Sequence, residues 1–280
     1  MLQSIINTLN NISTIINNEK TLNSKISVLN AYAKISLNLL LGKRAKKETI
    51  FNYKIRFFDY KVFFWLFYEI FIRKEYWFKA RTKTPCIIDC GSNIGMSILF
   101  FKKLYPNAKI IGFEPDKETF QLLEYNIRNN KLGDVIIHNT ALSNKEGIIS
   151  FYKDADIKGN LAMSITKQVE EHNIKNIKET KVKSVKLSDY INKEIDFLKL
   201  DVEGAETYVI KELSKSKKLK YIKETLIEYH YSSKNPKNKL RKILKILEKN
   251  NFKICFNAEQ YPPFFKHRNK AYNLLIYAYQ

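Results

Sequence analysis

Two acid-and-glycine segments hold the residues whose types and spacing could do chemistry. The first is Asp89-Cys90-Gly91-Ser92-Asn93-Ile94-Gly95, which follows the apolar run Cys86-Ile87-Ile88 and precedes helical spacing at Ile98, Phe101 and Leu104. A glycine-rich turn between strand and helix lets backbone approach a ligand closely at the helix N-terminus. Glu114 ends the next apolar run. It stands about 20 residues past the turn, where a carboxylate accepts hydrogen bonds from ribose hydroxyls. A dinucleotide and S-adenosyl-L-methionine are the two candidate ligands. Asn93 occupies the position where a dinucleotide fingerprint needs a second glycine to admit a pyrophosphate. Asp89 instead offers a carboxylate to a ligand's ammonium group. An amino-acid cofactor with a sulfonium wants that acid and a pyrophosphate does not, so the residues favour S-adenosyl-L-methionine.

The second segment is Phe197-Leu198-Lys199-Leu200-Asp201-Val202-Glu203-Gly204-Ala205-Glu206. Ligands of an open parallel sheet sit beyond the carboxyl ends of its strands, which puts Asp201 and Glu203 at the cofactor site. A methylsulfonium is already activated, so methyl transfer needs an acceptor oxygen aligned at about 3 Å. A base that removes the hydroxyl proton helps further. Asp201, Glu203, Glu228 and His230 are the candidates. His230 titrates nearest neutral pH, which suits a general base, and reads equally as a histidine that only hydrogen-bonds a loop. Asp201 is also a candidate contact to cofactor or acceptor. Glu203 and Glu206 read equally well as first-turn acids favoured by the helix dipole. Asp201, Glu203 and Glu228 have the chemistry to hold Mg²⁺, but spacing alone makes no site and the sequence assigns no metal.

Taken together, Asp89-x-Gly91-x-Asn93-x-Gly95, Phe113-Glu114-Pro115-Asp116 and Leu198 to Glu206 resemble the signature of the FkbM family of S-adenosylmethionine-dependent methyltransferases. The likeness continues through Ala141-Leu142-Ser143 and Glu228-Tyr229-His230 and departs at Ser92, where the family commonly has Ala. It spans roughly residues 84–257 and leaves about 50 N-terminal residues outside. The third motif discriminates best, since the first two are shared by many class I methyltransferases. The resemblance implies a Rossmann-like α/β fold with a seven-stranded, mostly parallel sheet and helices on both faces. It also implies methyl transfer to a hydroxyl of a sugar, glycolipid or secondary metabolite. Residue by residue, it implies that Asp89, Gly91, Asn93 and Gly95 line the methionine side of the cofactor. Glu114 would then bind the ribose, with Asn139, Thr140 and Ala141 near the adenine.

The elements that must position these residues are legible in outline. Strand–helix alternation with uniformly apolar strands indicates a parallel sheet covered on both faces. Strands are expected at 51–58, 86–90, 109–113, 135–138, 195–200, 221–229, 252–256 and 272–279. Helices are expected from Asp59 to about Phe71, from Pro115 to about Asn130, over 205–213 and over 236–249. The last two strands lack an intervening helix, so one enters antiparallel. Strands at 147–152 and 182–185 form a hairpin-like elaboration whose loop, 153–180, is long enough for a lid. Three segments result: a helical extension (1–50), a substrate-side lead-in (51–82) and the cofactor-binding domain (83–280).

Composition narrows the partners. The chain has 280 residues, 49 Lys and Arg against 28 Asp and Glu, a net charge of +21 and 45% hydrophobic residues. It can therefore bury a core and is not a disordered basic tail. Seven of the 49 cations are Arg, although Arg is the residue favoured for bidentate phosphate and base contacts. A Lys excess spread along the chain indicates a solvated basic surface more than a nucleic-acid site. No Asn/Asp-Pro-Pro-aromatic motif follows the fourth strand. The one Pro-Pro, in Tyr261-Pro262-Pro263-Phe264, lacks the Asn or Asp that would bind a base amino group. An RNA ribose methyltransferase and a non-catalytic partner-binding protein stay as alternatives. Three scattered Cys form neither a disulfide framework nor a zinc pattern, which points to a reduced, cytoplasmic protein.

No signal peptide is evident, and the apolar run Val62 to Ile72 is too short to span a bilayer, which takes about 20 residues. An apolar stripe runs Ile5, Leu9, Ile12, Ile16, then Ile26, Leu29, Ala33, Leu37 and Leu40, followed by basic Lys43, Arg44, Lys46 and Lys47. The stripe is expected to pack on the chain's own body. The alternative is peripheral docking of residues 1–47 on a partner or an anionic membrane.

Overall fold

The computed structural model describes residues 2–156, 158–159, 161, 163–166, 176–231, 240–258 and 272–280. Two helices come first, α1 (Leu2–Asn18) and α2 (Leu22–Leu40), and the Thr21 hydroxyl caps α2 by accepting from Ser24 N. A strand was expected at 51–58; a hairpin forms instead, β1 (Lys47–Ile50) against β2 (Tyr53–Arg56). Its turn residues Phe51 and Asn52 both have positive φ, 52° and 69°. That is the requirement of the tight turn whose twist matches a hairpin, and Asn tolerates it better than most residues. Asp59 caps α3 (Tyr60–Phe67), accepting from Lys61 N and Val62 N. The helix then widens into a π turn over Tyr68–Ile72, so that Glu69 and Ile70 line the cleft described below.

The alternation predicted from the apolar runs follows: β3 (Cys86–Cys90), α4 (Met96–Leu104), β4 (Lys109–Phe113), α5 (Lys117–Asn129) and β5 (Val135–His138). A small sheet interrupts it, made of β6 (Ala141–Leu142), β7 (Gly147–Asp154) and β8 (Ile177–Val185) in the order β6-β8-β7. The chain resumes with β9 (Ile195–Leu200), α6 (Glu206–Lys215), β10 (Ile222–Tyr231), α7 (Leu240–Lys249), β11 (Lys253–Ala258) and β12 (Tyr272–Tyr279). The central sheet has seven strands in the order β11-β12-β10-β9-β3-β4-β5. Only β12 runs antiparallel to its neighbours, as the sequence implies by offering no helical pattern between the last two strands. From β3 the order proceeds one way through β4 and β5 and the other way through β9 and β10. The switch point therefore lies between β3 and β9, where the two chemistry-bearing segments emerge.

Neighbouring residues of one strand feed opposite faces of this sheet. Ile87 and Phe197 join Ile98, Phe101, Phe67, Ile35 and Ile15 in one core, while Ile88 and Leu198 join Val209, Ile227 and Leu247 in the other. The N-terminal helices and the 51–82 segment thus share a core with the sheet.

Helix α2 turns its faces the other way from expectation. Val28, Ala31, Tyr32 and Ile35 are buried, whereas Leu22, Ile26, Leu37 and Leu40 are exposed, Leu40 by 83%. Most of the stripe read from the sequence faces outward, with Leu29 partly buried against the core; the opposite face joins the cluster that holds Phe63 and Phe67. Among the described residues no helix is long and apolar enough to cross a membrane. The start of the expected helix at Pro236, the Tyr261-to-Phe264 segment and residues 157, 160, 162 and 167–175 of the expected lid lie outside the described residues.

Candidate active site

The turn after β3 is shaped by close backbone approach. Gly91 (φ 85°) sits so near the β9 end that a Cβ there would meet the Asp201 carbonyl oxygen at 1.9 Å. Gly95 (φ 92°) would press a Cβ to 2.8 Å from Leu123. Asn93 also adopts a positive φ, 48°. Its amide donates to Glu114 Oε2 at 3.0 Å, and the Asp116 amide donates to Glu114 Oε1 at 2.9 Å. These bonds fix the carboxyl at the end of β4. Burial nevertheless pushes its pKa up to about 8, against the two amides that favour the anion.

Gly91, Ser92, Asn93, Glu114, Thr140, Ala141, Lys199, Asp201, Glu203 and Glu228 all line one cleft, together with Glu69, Ile70, Tyr76, Met163 and Asn273. The cleft encloses ≈ 1010 Å³ of empty space with its open mouth included, on the scale of small-molecule sites, roughly 300–1,000 Å³. From the small sheet's side, Leu161, Met163 and Ile165 reach the cleft, and Ser164 Oγ donates to the Glu203 carbonyl. These belong to the described part of the expected lid, 153–180. Asn139 lies behind the wall, where its amide donates to the Glu114 and Pro115 carbonyls and holds that corner.

Asp89 is placed differently from expectation. Its carboxyl is fully buried and does not line the cleft. Oδ2 accepts from Ser97 Oγ at 2.6 Å, while Oδ1 lies 3.5 Å from Lys199 Nζ. Lys199, buried at the carboxyl end of β9, ties the floor together: Nζ donates to Gly91 O at 2.8 Å and to Asp201 Oδ2 at 3.2 Å. Burial disfavours its charge, but Asp201 and Asp89 outweigh that cost and raise its pKa. Lys199 and Tyr76, whose ring lies 5.0 Å from Nζ, are site residues that the sequence reading missed. A lysine inside an apolar strand two positions before an acid was a legible signal for Lys199; Tyr76 arrives by a tertiary contact with no local signature.

His230 also departs from expectation. It is buried at the end of β10, with Nε2 3.1 Å from Glu203 Oε2 and Nδ1 3.3 Å from Glu206 Oε1. Burial lowers its proton affinity, but Glu203 and Glu206 overcome this and raise the pKa well above that of a free imidazole. Its flanking carboxylates favour the protonated ring over the free base that the expected role needs. Glu228 lines the cleft opposite, and its pKa is raised by burial and by Asp201. Asn273 Nδ2 donates to Glu228 Oε1 at 2.5 Å.

This sheet, with a glycine turn and acids at its switch point, defines the class I S-adenosylmethionine-dependent methyltransferase fold. The Methyltransferase FkbM domain matches residues 89–254, and the chain belongs to that family. Methyltransferase 1 of Beauveria bassiana is 29% identical over 161 residues, covering 52% of this chain and 65% of that protein. Methyltransferase sdnD of Sordaria araneosa is 31% identical over 173 residues, covering 52% of this chain and 67% of that protein. This chain thus spans about two thirds of the length of these relatives. Among solved structures, a Methyltransferase FkbM from Methylobacillus flagellatus KT superposes with a TM-score of 0.50 at 13% identity. That likeness covers 99% of this chain and 60% of the other.

The cofactor of this family is S-adenosyl-L-methionine, and the cleft fits it. Its lining carries the buried carboxyl of Glu114 and also Thr140, whose buried Oγ1 has no hydrogen-bond partner among the described residues.

Proposed function

We propose that this chain methylates a hydroxyl oxygen of a neutral, hydroxyl-rich acceptor: a sugar, a glycolipid or a secondary metabolite. The observation that carries the reading is one cleft lined at one end by the glycine turn and Glu114 and at the other by Asp201, Glu203 and Glu228. In this reading Gly91, Asn93 and Gly95 shape the methionine end of the cofactor site, with Asp89 supporting them from behind through Ser97 and Lys199. Glu114 holds the ribose, and Thr140 and Ala141 face the adenine. S-adenosyl-L-methionine supplies an activated methyl group there. Asp201, oriented by Lys199, positions the acceptor hydroxyl. Glu228 accepts its proton, because burial beside Asp201 raises that carboxylate's proton affinity above the ordinary value. Carboxylates at the acceptor end repel polyanions, which favours an uncharged acceptor over RNA. Free Cys86, Cys90 and Cys255 are compatible with a cytoplasmic location.

Calorimetry with S-adenosyl-L-methionine tests the first half of the proposal; absence of binding by the folded protein overturns it. Labelled methyl transfer to a panel of polyhydroxylated acceptors tests the second. Glu228→Gln should lower kcat at least 100-fold with cofactor affinity preserved, and undiminished turnover removes its role.

A further inference from the structure

The acceptor end of the cleft has a second feature that methyl transfer alone does not require. Asp201, Glu203 and His230 each point one donor atom at a common space, with all three atoms within 4.8 Å of one another. Glu228 Oε1 faces the same ring nitrogen, 4.0 Å from His230 Nε2. Two ligands bound at about 2.1 Å lie roughly 3.0 Å apart when adjacent and 4.2 Å apart when opposite in an octahedral shell. The observed separations from Nε2 are 3.1 Å to Glu203 and 4.0 Å to Asp201 and to Glu228.

A separate observation concerns the far side of the ring. His230 Nδ1 is 3.3 Å from Oε1 of Glu206, a carboxylate only 1% exposed and itself fixed by the Gly204 amide at 2.8 Å. A histidine that ligates a metal commonly donates its other N–H to such a carboxylate, which fixes the tautomer and leaves the free nitrogen facing the ion. The other oxygen of Asp201 is engaged by Lys199, so Oδ1 alone is turned toward the ring.

We propose that Asp201, Glu203 and His230, with Glu228 adjacent, bind one divalent cation of the Mg²⁺ or Mn²⁺ class, with Glu206 orienting the histidine. Carboxylate-rich sets select these hard cations. An octahedral ion held by three or four protein donors keeps at least two positions for other oxygens. Because Asp201, Glu203 and Glu228 line the cleft, those positions face the acceptor. The class of acceptor narrows to one with two adjacent hydroxyls that can chelate the ion. This substrate class rests on the proposed methyl transfer, whereas cation binding does not.

The test is Mn²⁺ titration of the chelator-treated, full-length protein, followed by electron paramagnetic resonance, with no cofactor added. One saturable Mn²⁺ per chain is expected, with nitrogen coupling from one imidazole in the pulsed spectrum. Glu203→Gln should weaken binding at least tenfold, and His230→Gln should abolish the nitrogen coupling while the protein stays folded by circular dichroism. No binding at 1 mM free Mn²⁺, or binding without nitrogen coupling, overturns the site. S-adenosyl-L-methionine binding is measured separately on metal-free protein, so failure of either reading leaves the other intact.

A different observation carries a second proposal. At about 100° per residue, Leu22, Ile26, Leu37 and Leu40 fall on one narrow face of α2, opposite buried Ala31 and Ile35, and that face is exposed. Leu41 continues it, and exposed Lys43, Arg44, Lys46 and Lys47 follow directly. Apolar side chains next to a cationic run complement the surface of an anionic bilayer. We infer that this face docks on anionic membrane. The full chain should co-sediment with phosphatidylglycerol-containing vesicles and not with pure phosphatidylcholine. Leu37→Glu with Leu40→Glu should cut that binding at least tenfold and leave methyl transfer unchanged. Equal binding to both vesicles, or lipid-free dimers abolished by the double variant, overturns it.

Discussion

The acid-lined cleft and the outer face of α2 are both places where this chain leaves groups without matching partners, but of opposite kinds. In and beneath the cleft the surplus is buried charge: Asp89, Asp201, Glu203 and Glu228 converge on Lys199 and His230. On α2 the surplus is apolar surface facing water, on a chain that carries +21 overall. Buried unpaired charge is expensive and persists where neighbours or a ligand compensate it. Exposed leucines cost the fold little. The cleft is therefore built at the expense of stability and reports a ligand from within, whereas α2 could lose its outer face with no effect on the fold.

The comparison breaks most readily at Lys199. Lys199→Met strands Asp89 and Asp201, and should destabilise the protein by about 3–5 kcal/mol in a denaturant titration. A change under about 1 kcal/mol would show that the acids are not held by this lysine. Ile35→Ala, on the buried side of α2, should cost about 2–5 kcal/mol through the cavity it leaves. Gly91→Ala forces a Cβ onto the Asp201 carbonyl and should reduce S-adenosyl-L-methionine affinity at least 100-fold by calorimetry, about 2.7 kcal/mol.

A pH series sharpens the charge side. Glu114, raised by burial to about 8, accepts from the ribose more strongly as the carboxylate than as the neutral acid, so cofactor affinity should rise with pH toward 8 and level off above it. The effect on stability has the opposite sign. A carboxyl whose folded pKa exceeds its unfolded value favours the fold at low pH and loses that contribution as pH climbs from near 4.5 toward 8. Glu114→Gln should flatten both profiles; an unchanged affinity profile removes Glu114 from the ribose. The smallest effect is expected at Leu40→Ala, within about 0.5 kcal/mol of wild type. A larger loss would place a partner for that face within the chain itself.

Much of this was readable in the residues. Apolar runs followed by helical spacing gave the alternating strands and helices, and the lack of a helical pattern between the last two apolar runs gave the antiparallel entry of β12. Gly91, Gly95 and Glu114 announced their places because a close-approach turn and a strand-end acid are local requirements. Residues 51–58 were misread because Phe51 and Asn52 carry only a weak turn signal. The outward stripe of α2 was misassigned because that helix is apolar on two sides, and its own periodicity cannot say which side meets Phe63 and Phe67.

What the sequence determined by itself was therefore the sheet's alternation, the family and the acids at its switch point, all properties of consecutive residues. What only the tertiary structure decided was which charges meet. Asp89 faces Lys199 from a different strand, His230 is drawn from β10 between Glu203 and Glu206, and Glu228 completes the group. A side chain's protonation state and ligating capacity depend on neighbours a few ångströms away in space, and chain order does not encode that distance. The candidate general base suggested by His230 in the sequence is, once folded, a buried ring set among carboxylates.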